Sequence, residues 1–492
     1  MNFIKKNPYV LLIPFSFITL FIGFYYINHF PDLDTDAYAH YSIARQLYIE
    51  GKINPIIHWV WLPLYHYIQI PFIAAGFGIT ALRFLSLILG LLIPYIIYFY
   101  YYKDEFAIKK ISFRVSLICI TSPIYILMET AAQPEIIFFL LLVLFFIFFD
   151  KEKYLLSSIV LGLGVMLRYE LWVVPILFIV FYLFRKFLSH FHKFEFIKKR
   201  KFILNIIIPL SLMIIWTVIR RITDGVWFYF ITETKGFATG VIDATSSGNK
   251  LQSMFTDIYY YPAYIPYMLF GPVLFLSLFG LKNIYKNKSI IFISINVLIL
   301  LFISFSWMTK SSLGLYRHFT ILIPFYSFLI GFGVYAVSDY ISHRLHTVLK
   351  KTEFETIRRR TSFILILSVV LSQVFMLYVW SSAWLDYSKQ TFGERIKTAE
   401  FIKTLPQESI IYTDEASVEI LSNIEMSRFK RFWLTTDLAL DNIQKDFYDN
   451  KTFYIVSWSD RIEKYKQFGN IIYTSTVDKV YNKPLQVLKA GK

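Results

Sequence analysis

Three aspartates, Asp32, Asp34 and Asp36, fall within five positions of "FPDLDTDAYAHYSIARQL", residues 30–47. A carboxylate can take the proton of an attacking hydroxyl, and a pair of them can hold a divalent cation. The same residues suit a plainer duty. Asp34 or Thr35 can cap a helix over the following residues, Asp36 sits in its first turn where the dipole favours an anion, and Gly51 ends it. Capping takes one carboxylate or two, so both readings stand for the cluster.

The next segment, "HWVWLPLYHYIQIPF", carries His58, Trp59, Trp61, His66 and two prolines. Such rings anchor chains at a membrane interface and also stack on sugars, which makes Trp61 and His66 candidate contacts for an acceptor or a sugar. Arginines make a second set: Arg83 in "ALRFLSLILG", Arg168 in "MLRYELW" and Arg317 in "GLYRHFTILIP". Each stands at the end of an apolar run, and a guanidinium matches a pair of phosphate oxygens. Ion pairing with Glu170, Glu129 or Glu135 is the structural alternative, strongest for Arg168 beside Glu170. Glu233 in "FITETKGF" can assist an acceptor or stand solvated in a loop, and "DEAS" at 414–417 reads as a strand-to-helix cap. The chain shows no metal-binding Cys/His spacing, serine-nucleophile motif or glycine loop for phosphate.

The elements that must position these residues are apolar. The 492 residues are 56% hydrophobic and 20% aromatic, with only 17% charged, below the quarter expected of a soluble domain. Apolar blocks separated by short charged loops predict about eleven membrane spans, near 9–28, 81–102, 111–128, 135–150, 154–167, 171–187, 202–219, 262–281, 289–307, 318–337 and 362–382. The net charge of +16 collects in alternate loops, roughly two dozen Lys and Arg against roughly nine, the positive-inside pattern. That places the N-terminus in the cytoplasm and argues against nucleic acid as a partner. It leaves a long first outer loop at 29–80 and a second at 220–261. The helix expected over 35–51 has Ile43, Leu47 and Tyr48 at neighbouring positions, suited to the interface. The lone cysteine, Cys119, lies in an apolar run and reads as packing.

The chain divides into a transmembrane domain, 1–382, and a domain over 383–492 on the outer side. In the latter, "GERIKTAEFIKTL" has helical spacing up to Pro406, and "SIIYTD", "KTFYIVSWS" and "NIIYTSTV" read as short strands. The expected fold class is a mainly α, polytopic helical membrane protein with a small extracytoplasmic α/β domain.

Taken together, the acidic loop after the first span, the aromatic-Pro-Leu segment, "LRFLSLILG" and "LRYE" resemble the GT-C superfamily of integral-membrane glycosyltransferases. "DAYAHYSIARQL" is similar to the D-E-x-Y-Y-x-x-I-A-R pattern of bacterial members, with Ala37 in place of the glutamate. "WLPLYHYI" resembles their Pro-Pro-Leu segment with Leu62 for the first proline, and "YRHFTILIPF" their late span with His318 for a tyrosine. The resemblance runs over roughly the first 340 residues and reaches the tail only in kind. It implies transfer of a hexosyl or pentosyl group from a polyprenyl-phosphate sugar to an outer acceptor, whether lipid, glycan or protein, in the membrane of the cell envelope. By the same resemblance Asp36 is the catalytic aspartate and Asp34 the runner-up. Arg83 stands near the donor phosphate, and Arg168 and Arg317 join it. A metal requirement does not carry over, since only some members use a divalent cation, and the cofactor is left open. The rival reading is a transporter or flippase of a lipid-linked sugar, whose charges should lie at mid-span with repeat symmetry.

Overall fold

The structure, a computed structural model, describes residues 8–32, 34–51, 58, 60–102, 109–188, 199–245, 259–287, 290–312, 315–349, 353–431, 437–449, 451–478 and 482–491. Trp59 and most of the basic run at 185–201 lie outside them. The chain is a polytopic helical membrane protein with a small α/β domain at its C-terminal end.

Among the described residues seven helical stretches are long and apolar enough to cross a membrane: Tyr9–His29, Ile79–Tyr100, Arg200–Asp224, Tyr260–Ile284, Ile290–Met308, Arg317–Val348 and Phe354–Lys403. A bent pair, Ile111–Ile120 and Pro123–Glu129, makes an eighth if it counts as one span, with a 61° break. Pro123 opens the second half, where its missing N–H costs the helix least. The count of eleven is therefore not confirmed. The segments expected at 135–150, 154–167 and 171–187 form helices of 16, 12 and 11 residues. At 1.5 Å per residue the first is about 24 Å long, short of a hydrocarbon core of about 30 Å. Hydropathy reports apolar length but not whether protein or lipid covers it. Glu135–Asp150 is buried along most of its length.

The helices that carry the site are α1 (Leu12–His29), α2 (Thr35–Glu50), α3 (Leu64–Ala74), α4 (Ile79–Tyr102), α5 (Glu135–Asp150), α6 (Leu204–Asp224), α7 (Tyr229–Thr245), α8 (Leu276–Asn287), α9 (Ile323–Leu349) and α10 (Phe354–Lys403). α8 and α9 cross backbone to backbone. A Cβ on Gly280 would stand 1.9 Å from the Leu329 carbonyl oxygen, and one on Gly333 1.9 Å from that of Leu276. Small residues allow this approach where no hydrophobic gain drives helices together in lipid.

α10 runs 50 residues without interruption, across the boundary expected at 382/383, and ends just before Pro406. Span and C-terminal domain thus share one helix. Beyond it the sheet has the order β2-β1-β3-β5-β4, with β1 Ile410–Thr413, β2 Phe429–Arg431, β3 Phe453–Trp458, β4 Gly469–Val477 and β5 Pro484–Ala490. β1 pairs in parallel with β2 and β3, while β5 runs antiparallel to β3 and β4. The fully buried β3, "FYIVSW", is the centre of its core.

The domain is docked onto α2 through α11 (Ala416–Ser422). Ser42 Oγ donates to Glu419 at 2.6 Å, Arg45 pairs with the same carboxylate at 3.7 Å, and Tyr38 packs on Phe392 with ring centroids 5.4 Å apart. The buried faces of α2, with Ile43 and Leu47, are thus covered by protein, and only its last turn exposes Tyr48 and Ile49. The expectation of an interfacial helix holds for that turn alone.

Candidate active site

The start of α2 folds as its sequence suggests. Asp34 is the N-cap, its Oδ1 accepting from the Asp36 backbone N–H at 3.2 Å, and Gly51 closes the helix in the left-handed region at φ +59°. The three aspartates then part company.

Asp32 is buried. Its Oδ2 accepts from the Ala132 N–H at 2.7 Å and lies 3.7 Å from Arg83 Nε. Arg83 donates from Nε to the Thr130 carbonyl at 2.7 Å, from Nη1 to those of Ile27 and Phe30 at 3.2 and 2.8 Å, and from Nη2 to that of Tyr26 at 3.4 Å. Tyr26 and Ile27 lie in the last turn of α1, whose carbonyls have no partner within the helix. Arg83 therefore closes the end of the first span. All three of its nitrogens are engaged with backbone, and it makes no ion pair with the other candidate acids among the described residues. The structure thus gives Arg83 a structural role, and the donor-phosphate role stays what the resemblance implies.

Asp34 and Asp36 turn to Arg317 instead. Arg317 Nη1 stands 3.0 Å from Asp34 Oδ2, and Nη2 donates to Asp36 Oδ2. Its Nε lies 3.8 Å from Glu135 Oε1, which also accepts from Arg168 Nη1 at 2.8 Å. Arg168 holds Glu170 with two further bonds, Nη2 to Oε1 at 2.6 Å and Nε to Oε2 at 3.2 Å, the bidentate pairing that a guanidinium fork favours. Four chain segments thus meet in one cluster, with Glu135 bridging the two arginines. Glu135 stands in the first turn of α5. The sequence offered it only as a structural partner, and nothing in its local pattern marks it as a bridge between residues 33 and 182 positions away.

The cluster is uneven in exposure. The side chains of Arg317 and Glu135 are 8% and 3% exposed, those of Asp34 and Asp36 22% and 32%. The aspartates form its open side. Arg317 Nε and Nη1 and Glu135 Oε2 make no hydrogen bond among the described residues. Removal from water raises the Asp34 carboxyl to about 6, against the pull of Arg317 and with a further push from Asp36. Asp36 meets the same burial, but the charge and hydrogen bond of Arg317 outweigh it and hold that carboxyl below its ordinary value. One acid of the pair can carry a proton near neutrality while the other stays ionised.

The remaining candidates fall outside the cluster. Trp61 is partly exposed and lies with its ring centroid 4.4 Å from that of His40. His66 is fully buried between His40 and His58. Glu233 sits on α7 beside Tyr229, and no described ion pair or hydrogen bond joins it to the cluster. Among the described residues no group of three or more His, Cys, Asp or Glu side chains is placed to hold a metal ion.

No family model matches the chain, and no curated protein is detectably similar in sequence. Solved structures are similar in fold. ArnT from Cupriavidus metallidurans in the apo state superposes with a TM-score of 0.62 at 11% identity, covering 97% of each chain. The same protein bound to undecaprenyl phosphate gives 0.57 over 98% of each chain at 11% identity. The archaeal oligosaccharyltransferase AglB from Archaeoglobus fulgidus, in complex with an inhibitory peptide and a dolichol-phosphate, gives 0.53 at 10% identity, over 99% of this chain and 75% of that one. The similarity of fold to ArnT runs over nearly the whole chain, from the first span to the C-terminal sheet.

Proposed function

We propose that this protein is a membrane glycosyltransferase that moves one sugar from a polyprenyl-phosphate donor to a hydroxyl of an acceptor on the extracytoplasmic face. The observation that carries the reading is the convergence of Asp34, Asp36, Glu135, Glu170, Arg168 and Arg317 in one cluster at the ends of apolar helices. Similar folds hold undecaprenyl phosphate in ArnT and a dolichol-phosphate in AglB, which supports a lipid phosphate as donor here. The positive-inside pattern supports the outer face.

The chemistry divides between the two signs of charge. The acceptor oxygen attacks the anomeric carbon, the bond from that carbon to the phosphate oxygen breaks, and the lipid phosphate leaves with an added negative charge. Arg317 and Arg168 stabilise that charge as it forms, and Arg317 would exchange its carboxylate partners for phosphate oxygens. The acceptor proton goes to the aspartate pair. The resemblance favours Asp36 as the base, while the raised carboxyl of Asp34 makes it the member better able to hold a proton near neutrality. A phosphate that draws Arg317 towards itself also loosens its grip on both aspartates, so donor arrival and base activation are linked through one side chain.

The test is transfer by the purified protein from a panel of undecaprenyl-phosphate sugars, comparing wild type with Asp34→Asn, Asp36→Asn and the double variant. Loss of about 10²–10⁴-fold in the double variant is expected, the range of general-base catalysis. Full transfer by all three variants would remove the mechanism, and movement of intact lipid-linked sugar across vesicles without transfer would favour a flippase.

A further inference from the structure

α2 meets the reactive cluster at its start and a buried acid of the C-terminal domain further along. Asp34 and Asp36 at that start have Arg317 as their cation. Ser42, six residues beyond Asp36, stands about 9 Å further along the helix axis and about 120° around it, on a different face. Its Oγ donates to Glu419 Oε2 at 2.6 Å, and Arg45 Nη1 lies 3.7 Å from Glu419 Oε1. Ser42 and Glu419 are both buried, and Oε1 accepts no hydrogen bond among the described residues. The rest of the contact is apolar, gathering Ala37, Tyr38 and Tyr41 of α2 with Ile420 and Leu421 of α11.

A buried carboxylate with one hydroxyl bond and a cation beyond hydrogen-bond reach is a poor way to add stability. Taking charge out of water is costly, and apolar side chains in place of a buried ion pair often leave a protein as stable or more so. What the acid adds is direction. Apolar packing resists separation without fixing rotation, whereas a hydrogen bond fails once its partners turn apart. Rotating α2 by about 20° would carry a carboxylate about 6 Å from the axis through about 2 Å. That is enough to break the 3.0 Å contact between Asp34 and Arg317. Two further hydrogen bonds of α2, from His40 to His66 and from Tyr41 Oη to the Phe77 carbonyl, stay within residues 29–80 and bind that loop to itself. Glu419 holds α2 from another domain.

We infer that Glu419 is a positioning residue that fixes the rotation of α2, and with it the place of Asp34 and Asp36, during sugar transfer; the inference rests on the proposed reaction. The need arises when the donor arrives. A lipid phosphate that draws Arg317 to itself takes the cation away from both aspartates, and α2 must then be held from its other face. Glu419 touches neither the sugar nor the reacting atoms and acts through the helix. The C-terminal domain thereby takes part in transfer by way of one hydrogen bond.

Glu419→Leu separates this role from packing. It removes the buried charge and keeps apolar bulk. The Arg45 side chain is already 20% exposed and can turn to water, and the Ser42 hydroxyl can bond back to its own helix, so melting temperature should hold or rise. With a donor that the wild type accepts among undecaprenyl-phosphate-linked mannose, glucose and arabinose, kcat should nonetheless fall about 10- to 100-fold, since a misplacement of about 1 Å can cost about 10²-fold. Donor KM should stay unchanged. Glu419→Gln keeps an oxygen for the Ser42 hydroxyl and should recover most of the rate. A wild-type kcat in Glu419→Leu, or a loss that Glu419→Gln shares in full, overturns the inference while leaving the transfer reaction intact. Should Glu419→Leu not fold, Ser42→Ala removes the same bond from its other end and should show the same loss; an unchanged rate there overturns the inference too. A distance measurement needs no activity. The one cysteine, Cys119, is buried, so spin labels at Tyr48→Cys on α2 and Met308→Cys at the end of the helix Ile290–Met308, both exposed positions, report on α2 alone against a span. Their distance distribution should shift or broaden in Glu419→Leu and match the wild type in Glu419→Gln. An unchanged distribution in Glu419→Leu overturns the positioning role. A shifted one in a protein whose wild type uses none of the donors supports that role and fails the transfer reading instead.

Discussion

Arg83 and Arg317 each face an aspartate from the same five-residue stretch, yet they do different things. Arg83 spends its N–H groups on backbone carbonyls of residues 26, 27, 30 and 130, with Asp32 buried alongside. Among the described residues Arg317 meets only carboxylates, keeps two nitrogens without a hydrogen bond, and has partners that reach solvent. A carbonyl fixed at a helix end cannot leave when a phosphate arrives, whereas a carboxylate side chain can rotate away. The difference separates an arginine that builds the fold from one that can exchange partners during a reaction.

The first way to break the comparison is Arg83→Ala. It leaves the carboxylate of Asp32 buried without its cation and reopens the end of α1. Removing one partner of a buried pair costs about 3–5 kcal/mol. The expected result is loss of folded protein in detergent, read by thermal melting and gel filtration, rather than a change in donor use. A well-folded Arg83→Ala enzyme with a raised donor KM would restore the phosphate role expected from sequence.

Arg317→Ala should do the opposite. Asp34 and Asp36 stay hydrated or take up a proton, and Glu135 retains Arg168 at 2.8 Å, so melting should shift little. Transfer should fall about 10²–10³-fold, the cost of removing one donor aimed at developing charge. Arg317→Lys should keep the fold but recover only part of the rate, because a point charge does not reproduce the guanidinium fork. An Arg317→Ala protein that melts far below wild type would place this arginine with Arg83.

What the sequence made legible follows the same division. Asp34, Asp36, Arg168, Glu170 and Arg317 were readable because charge at the end of an apolar run is conspicuous, and the helix cap, β1, β3 and β4 because local spacing encodes them. Local spacing is silent about which distant groups meet. Arg317 lies 281 residues from Asp36, so nothing near either predicts their bond. Arg83 carried the same surface signal as Arg317, and only the direction of its N–H groups tells them apart. The meeting of His40, His58 and His66 went unread for a related reason: local pattern marked His66 as a candidate contact but not which rings it would lie against. Glu135–Asp150 misled because its apolar composition fits lipid and protein equally well.

The smallest effect sharpens the contrast within the reactive cluster. Asp34 has its carboxyl raised from 3.8 to about 6, so between pH 7 and pH 5 the fraction able to accept a proton falls about tenfold, and transfer should fall with it along a limb centred near 6. Stability should move the other way. A folded-state value above the unfolded one means that the folded protein binds this proton more tightly. The contribution of Asp34 to stability is thus fully present below pH 3.8 and is lost as pH rises through about 6. Asp36, held low, contributes above its unfolded value and loses that contribution only as pH falls below about 3.8, outside this window. Melting temperature should therefore hold or rise slightly from pH 7 to 5 while the rate declines. In Asp34→Asn the limb near 6 should vanish together with the rise in melting temperature. Parallel loss of rate and melting temperature in the wild type, retained in Asp34→Asn, would assign the limb to another group and leave Asp36 alone as the base.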